Sequence, residues 1–338
     1  MRIALVCTPL SDANLRLASQ IGVTDIVGRF PGLNLNDMLA LRDRITRFGM
    51  KLSVIEGYIP HDQIVLGAVG RDRQIEDFKT LLRHMGKADV PICCYNWVPN
   101  DEWARTGTRS PERGNAMVTS FDVDLIQSQS TPISPAISDE QLWDNLKVFL
   151  EQVLPTAEEA GVKLAMHPDD PPLLSLRGQR RIVHNLDAFE RLVQLVPSPS
   201  NSICFCQGCF SEMGLDVPAA IRRLGPHISY VHFRDVRGCV PKFHETFHDT
   251  GQTNMFEAIR AYQEVGFDGP MRPDHVPVLE GESADLESTA PPPHDSEIAV
   301  DVNTYNGPDI PVPPGYTMLG RLYAVGYMRG LIHAVRGG

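Results

Sequence analysis

The sequence predicts one closed (β/α)8 barrel, and three observations carry that expectation. The chain has 338 residues, which suits a barrel of about 250 residues enlarged by insertions. Eight short apolar or β-branched runs recur along it. Between them the hydrophobic spacing changes to about 3.6 residues, the period of a helix. Alternation sustained eight times favours a closed barrel over an open, doubly wound sheet.

In chain order, the first run is Ile3 to Cys7. It is too short, and too polar beyond its end, for a secretion signal, so the expected compartment is the cytoplasm. Asp25 to Val27 and Lys51 to Ile55 follow, the latter delivering Glu56 at its end. Pro91 to Tyr95 is the fourth run. After it, from 97 to 138, Thr, Ser and Pro accumulate, and a long loop over one barrel end is expected. Ser138-Asp139-Glu140-Gln141 reads as a capping box, with Leu142, Leu146, Phe149, Leu150 and Val153 behind it on one helical face. Val162 to Met166, Ser202 to Phe205, Ile228 to Val231 and Pro270 to Arg272 complete the eight. A second irregular stretch, 280–314, holds Pro291-Pro292-Pro293 and many acidic residues but no Lys or Arg. It reads as a solvated insertion within a single domain spanning 1–338.

Composition removes several classes of function. Hydrophobic residues make up 42% and charged residues 22%, an ordinary globular balance, and no apolar run approaches the ~20 residues of a membrane helix. The net charge of −11 has the wrong sign for a nucleic-acid backbone. Neither a Gly-x-Gly-x-x-Gly after the first run nor a Walker-type Gly-Lys-Ser/Thr occurs, so no nucleotide cofactor is expected. Self-association into a homo-oligomer is left open by the sequence. Seven cysteines, an odd number, point to reduced thiols.

The residues that end the predicted strands are the informative ones. The fifth run ends at His167, the sixth at Cys206, the seventh at His232 and the eighth at Asp274-His275. In a barrel those ends converge on one face. Two imidazoles, a thiolate and a carboxylate would there offer N, S and O donors to one divalent metal. A local zinc knuckle at Cys204, Cys206 and Cys209 is disfavoured, because Cys204 and Cys206 share a side of one strand and no second pair follows. Cys204, Cys93 and Cys94 read instead as small buried hydrophobes.

At these residues the chain resembles the mannonate dehydratases, metal-dependent sugar-acid lyases with a xylose-isomerase-like barrel. The matching segments are Tyr95 to Pro99 with Trp103 to Thr106, Lys163 to Pro172 (KLAMHPDDPP), Phe205 to Gly208, and Val231 to Val236. Phe243 to Thr246, Met271 to His275, and Pro314-Gly315-Tyr316 leading into Gly320-Arg321 continue the series. The first 90 residues, including Val27 to Gly32, fit the family pattern poorly, and the acidic stretch parts Asp274-His275 from Tyr316. The resemblance implies that His167, Cys206, His232 and Asp274 bind the metal and that His275 and Tyr316 transfer protons.

The activity so implied is a hydro-lyase reaction, D-mannonate or a closely related aldonate going to 2-keto-3-deoxy-D-gluconate. An imidazole titrates near neutrality and a phenol near pH ~10, which suits His275 as base and Tyr316 as acid. Arg105, Arg234 and Arg272 are candidates to clamp the substrate carboxylate. His244, four residues before His248, would share a helical face with it, but the segment reads better as a loop that lids the site and touches substrate. Glu56 could contact sugar hydroxyls or pair with an arginine. Mixed N, S and O donors favour Mn²⁺ or Fe²⁺ over Mg²⁺. The alternatives are a divalent-metal sugar isomerase or epimerase on a related barrel and, outside catalysis, a sugar-binding protein.

Overall fold

A computed structural model describes residues 1–57, 59–98, 104–127, 137–282 and 312–337. Eight parallel strands close a barrel: β1 (Arg2–Leu5), β2 (Asp25–Gly28), β3 (Lys51–Glu56), β4 (Ile92–Tyr95), β5 (Lys163–Met166), β6 (Asn201–Cys206), β7 (Ile228–His232) and β8 (Pro270–Arg272). Each pairs with its neighbours in chain order, and β8 returns to β1 through Arg2 with Pro270 and Ile3 with Met271. Every predicted run is thus a barrel strand, displaced by at most two residues at either end. Helices Asp12–Gln20, Arg71–Lys87, Asp139–Ala160 and Met318–Gly337 come after β1, β3, β4 and β8.

The strands alternate between two cores because successive side chains face opposite sides. Ala4, Val6, Val27, Val54, Ile92, Cys94, Ala165, Cys204 and Tyr230 form the inner core, and Tyr316 packs on its upper end. The other faces, with Leu5, Ile26, Leu52 and Phe205 among them, bury against the helices. The capping box forms as the sequence requires: the Ser138 hydroxyl accepts from Gln141 N at 3.2 Å, and Ser138 N donates to the Gln141 side chain at 3.0 Å. All seven cysteines are free thiols.

Two segments differ from expectation. The stretch 97–138, expected to be loop, contains the strands Gly107–Pro111 and Met117–Asp122; residues 99–103 and 128–136 lie outside the described residues. Lys242–Glu245 is also a strand, so His244 and His248 share no helical face. With Val236–Cys239 these strands make a four-stranded antiparallel sheet. The physical reason is a satellite core. Phe121 and Phe243 sit opposite each other in register and stack at 5.6 Å, buried with Ala104, Ile126, Leu176 and Val236. Such a cross-strand aromatic pair stabilises a hairpin layer that Ser and Thr content alone disguises.

Most of the acidic stretch 280–314 falls outside the described residues, which stop at 282 and resume at 312. Just before it, Val278 and Met117 exchange backbone hydrogen bonds of 2.8 and 3.1 Å, tying the chain after β8 to the accessory sheet. Among the described residues no helix is long and apolar enough to cross a membrane.

Candidate active site

The barrel register places the strand-end residues side by side. Cys206 pairs with His232 across β6 and β7, and His232 with Arg272 across β7 and β8. His167 follows β5 and donates its backbone N–H to Tyr95 O at 2.7 Å. The ring atom Nε2 of His167 lies 3.1 Å from Nδ1 of His232. Asp274 Oδ2 is 3.6 Å from that same Nδ1 and 3.7 Å from Cys206 Sγ. His167, Cys206 and His232 each present a ligand atom within 4.8 Å of the others. Donors bound about 2.0 to 2.3 Å from one ion stand roughly 3 to 4 Å apart. The donor set therefore fits a single divalent metal in both chemistry and spacing.

The surroundings prepare these donors. His167 Nδ1 is 2.6 Å from Pro168 O, which turns Nε2 toward the cluster. His232 Nε2 is 3.1 Å from Glu56 Oε2, leaving Nδ1 to face His167 and Asp274. A histidine whose far nitrogen is held by a carboxylate is the arrangement that orients metal ligands. Burial alone would raise the Cys206 thiol, but the Cys209 hydrogen bond, the Arg234 guanidinium and the two histidines hold it well below its ordinary value. Burial likewise opposes charge on Asp274, and the charges of His275, Arg272 and His232 override it and hold its carboxyl well below the usual range. Both shifts favour the ionised forms in which a thiol and a carboxyl bind metal.

His275 and Tyr316 meet beside this cluster, with ring centroids 5.4 Å apart and an interplanar angle of 61°. Their approach is built by the backbone: Val276 N donates to Gly315 O at 2.9 Å. Gly315 adopts φ +85°, and a Cβ there would stand 3.2 Å from His275 Cβ, so only glycine fits comfortably. His275 Nδ1 lies 2.9 Å from Glu245 Oε1. Assigning the proton to Nδ1 leaves the ring lone pair on Nε2. The Tyr316 ring is flanked by Arg321 at 4.6 Å and Arg29 at 5.6 Å.

The three candidate clamping arginines are engaged by protein carboxylates. Arg105 holds Asp170 at 2.6 and 3.1 Å and Glu245 at 2.6 Å. Arg234 reaches Glu212 and Asp170 at 2.7 Å and Asp274 at 2.8 Å. Arg272 reaches Glu56 and Asp274, each at 2.7 Å. The charges of these arginines favour the ionised forms of Asp170, Glu245, Asp274, Glu56 and the Cys206 thiol, whereas burial and the nearby Asp170 push the Glu212 carboxyl up. Gly208 makes room for this, since a Cβ there would meet Arg234 Nη1 at 2.2 Å. Glu56 takes the arginine-pairing alternative, bound to Arg29 at 3.1 Å and to Arg272, and also accepts from Tyr230 at 2.7 Å. His244 is half-buried on the accessory sheet, opposite Arg237 and Ser120.

Sequence reasoning missed Asp170, Glu212, Glu245, Arg29 and Arg321. Asp170 and Glu245 stand inside the quoted KLAMHPDDPP and Phe243 to Thr246 segments and could have been found there. Glu212 carried no signal.

The sequence model of the D-mannonate dehydratase family matches residues 13–134 and 133–291. The match thus reaches into the early region where motifs are sparse. Mannonate dehydratase 2 of Halalkalibacterium halodurans is 35% identical over 275 residues, covering 72% of this chain and 79% of that protein. The crystal structure of mannonate dehydratase from Streptococcus suis serotype 2 superposes with a TM-score of 0.83 at 28% identity, covering 99% of this chain and 93% of that one. A xylose isomerase domain protein of Alicyclobacillus acidocaldarius, 14% identical with a TM-score of 0.63 over the whole of both chains, shares the fold.

Proposed function

The chain belongs to the D-mannonate dehydratase family, a metal-dependent class of carbon–oxygen lyases, and from that membership we propose how its residues dehydrate a sugar acid. The substrate is D-mannonate or a closely related aldonate, and the product is 2-keto-3-deoxy-D-gluconate or its counterpart. His167, Cys206, His232 and Asp274 hold one divalent metal, Mn²⁺ or Fe²⁺ by the mixture of donors. When bound, that ion supplies Lewis-acid stabilisation of the substrate oxygens beside C2.

The chain's own groups move the protons. His275 Nε2 takes the C2 proton, backed by Glu245 on Nδ1. The C2–H electron pair becomes the C2–C3 double bond as the C3 hydroxyl leaves. Tyr316 gives that hydroxide its proton, so water departs and an enol remains, which tautomerises to the 2-keto acid. The phenolate and the imidazolium return to their starting forms through solvent. Arg234, Arg272 and Arg105 favour the charged forms of Asp170, Glu245, Asp274 and Glu56. With all seven cysteines as free thiols, the protein suits the reducing cytoplasm.

The observation that carries this reading is the His275–Tyr316 pair, 5.4 Å apart beside the three donors His167, Cys206 and His232 and the adjoining Asp274. The test is to incubate metal-loaded protein with a panel of aldonates and aldoses and assay keto-deoxy acids and isomerised sugars. A keto-deoxy acid from D-mannonate, with a primary isotope effect on C2-deuterated substrate, is expected. An isomerised sugar and no keto-deoxy acid would replace the lyase with an isomerase.

A further inference from the structure

Arg321 differs from the other buried arginines of the barrel mouth. It lies in the helix Met318–Gly337 and is wholly buried. Its Nη1 donates to Val6 O and, at 3.3 Å, to Thr8 Oγ1 beyond the end of β1. Its Nε and Nη2 have no hydrogen-bond partner. Arg105, Arg234 and Arg272 each face two or more carboxylates, whereas no carboxylate among the described residues pairs with Arg321. Burial pulls its pKa down to about 10, with the Tyr316 phenol acting in the opposite sense. Keeping a cation uncompensated in such a place is costly. The Tyr316 ring centroid lies 4.6 Å from its Cζ.

We infer that Arg321 is a positioning residue for Tyr316: its buried guanidinium holds the ring in place and stabilises the phenolate left when Tyr316 gives its proton to the departing hydroxide. This rests on the acid role assigned to Tyr316 above. The groups that face Tyr316 are His275, Arg29, Arg321 and Arg272. Arg29 shares its charge with Glu56 at 3.1 Å, and Arg272 shares its charge with Glu56 and Asp274. Arg321 thus supplies a positive charge that is not already spent on a carboxylate, and a transient phenolate is the anion it complements. The cation–π contact in the resting state becomes a cation–anion contact in the transition state, so the interaction strengthens as the reaction proceeds. An interaction of that kind raises kcat rather than affinity for substrate.

The test uses full-length, metal-loaded protein and compares Arg321→Met, Arg321→Lys, Tyr316→Phe and the Arg321→Met/Tyr316→Phe double variant. Arg321→Met should lower kcat by about 10- to 100-fold, with KM within roughly threefold and metal content unchanged. Arg321→Lys keeps a charge and a donor for the Val6 carbonyl and should recover most of that loss. In an ultraviolet difference titration read against Tyr316→Phe, the Tyr316 phenol of Arg321→Met should ionise about one pH unit higher or more. In the double variant the Arg321 substitution should cost nothing further. If Arg321→Met does not fold, Arg321→Gln, whose amide can still donate to Val6 O, takes its place. An equal loss of kcat with and without the Tyr316 hydroxyl would overturn the inference, as would an unmoved phenol titration. Full activity in Tyr316→Phe alone would remove the acid role itself, whereas an unmoved titration in an otherwise normal Arg321 variant would remove only this inference.

Discussion

The two halves of the barrel mouth are built on the same strand–helix repeat and do different work. The ends of β5 to β8 carry His167, Cys206, His232 and Asp274, a convergent set of donors. The ends of β1 to β4 carry Val6, Arg29, Glu56 and Asn96, which belong to no such donor group among the described residues. The early half acts on the late half by reaching across the barrel: Glu56 holds His232 at 3.1 Å, and the carbonyl of Val6 accepts from Arg321 beside Tyr316. Chemistry is therefore set by which residue terminates a strand, and the orientation of those residues by side chains far away in sequence. The comparison can be broken or sharpened by substitution in each half.

The largest effect belongs to the late half. Cys206→Ser and Asp274→Asn should each lose most bound metal, and dehydration should fall to background; metal analysis after gel filtration checks this. Normal metal content and selectivity in Cys206→Ser would return the donor role to other residues. Next, on the roles proposed here, His275→Asn should cut kcat by about 10² to 10⁴ while keeping its metal, because the proposed base is lost and the proposed ligands remain. Metal titration alongside steady-state kinetics separates the two causes.

The early half should give a graded response. Glu56→Gln removes the charge behind His232 without removing a donor, and metal affinity should drop by about 10- to 100-fold. A competition assay with a chelator measures it. If affinity is unchanged, Glu56 serves the arginines alone and the two halves are less coupled than the geometry indicates.

Acid stability depends on a different group, outside the donor set. His248 lies buried against Phe233, and burial lowers its pKa from 6.5 to about 4. The unfolded chain therefore binds a proton between those values that the folded chain refuses, so stability is lost as pH falls from 6.5 toward 4. The full loss is roughly 3 kcal/mol. Urea titrations across that range should show a shallower pH slope in His248→Gln, and an identical slope would assign the acid sensitivity to other groups.

Much of this was legible in the sequence. The eight strands were readable because each is a short apolar run followed by a change of period, and the donors because they stand where those runs end. The accessory sheet was not, since Thr108, Thr119 and Ser120 read as loop until Phe121 finds Phe243, more than a hundred residues away. The same distance hid the supporting contacts. Glu56 and His232 are 176 positions apart, and Arg321 and Val6 are 315 apart. Only barrel closure brings them together, so no local pattern could announce them. The arginines were visible as motif residues, but their partners Asp170, Glu212 and Glu245 come from a loop, a helix and an accessory strand, and their pairing follows from burial.

The most direct measurement is X-ray absorption at the metal edge of the loaded protein, compared with Cys206→Ser. The strand-end arrangement requires one sulfur scatterer at about 2.3 Å together with nitrogen and oxygen donors at about 2.0 to 2.2 Å, and loss of the sulfur shell in the variant. A spectrum of nitrogen and oxygen donors alone, unchanged by the substitution, would contradict it.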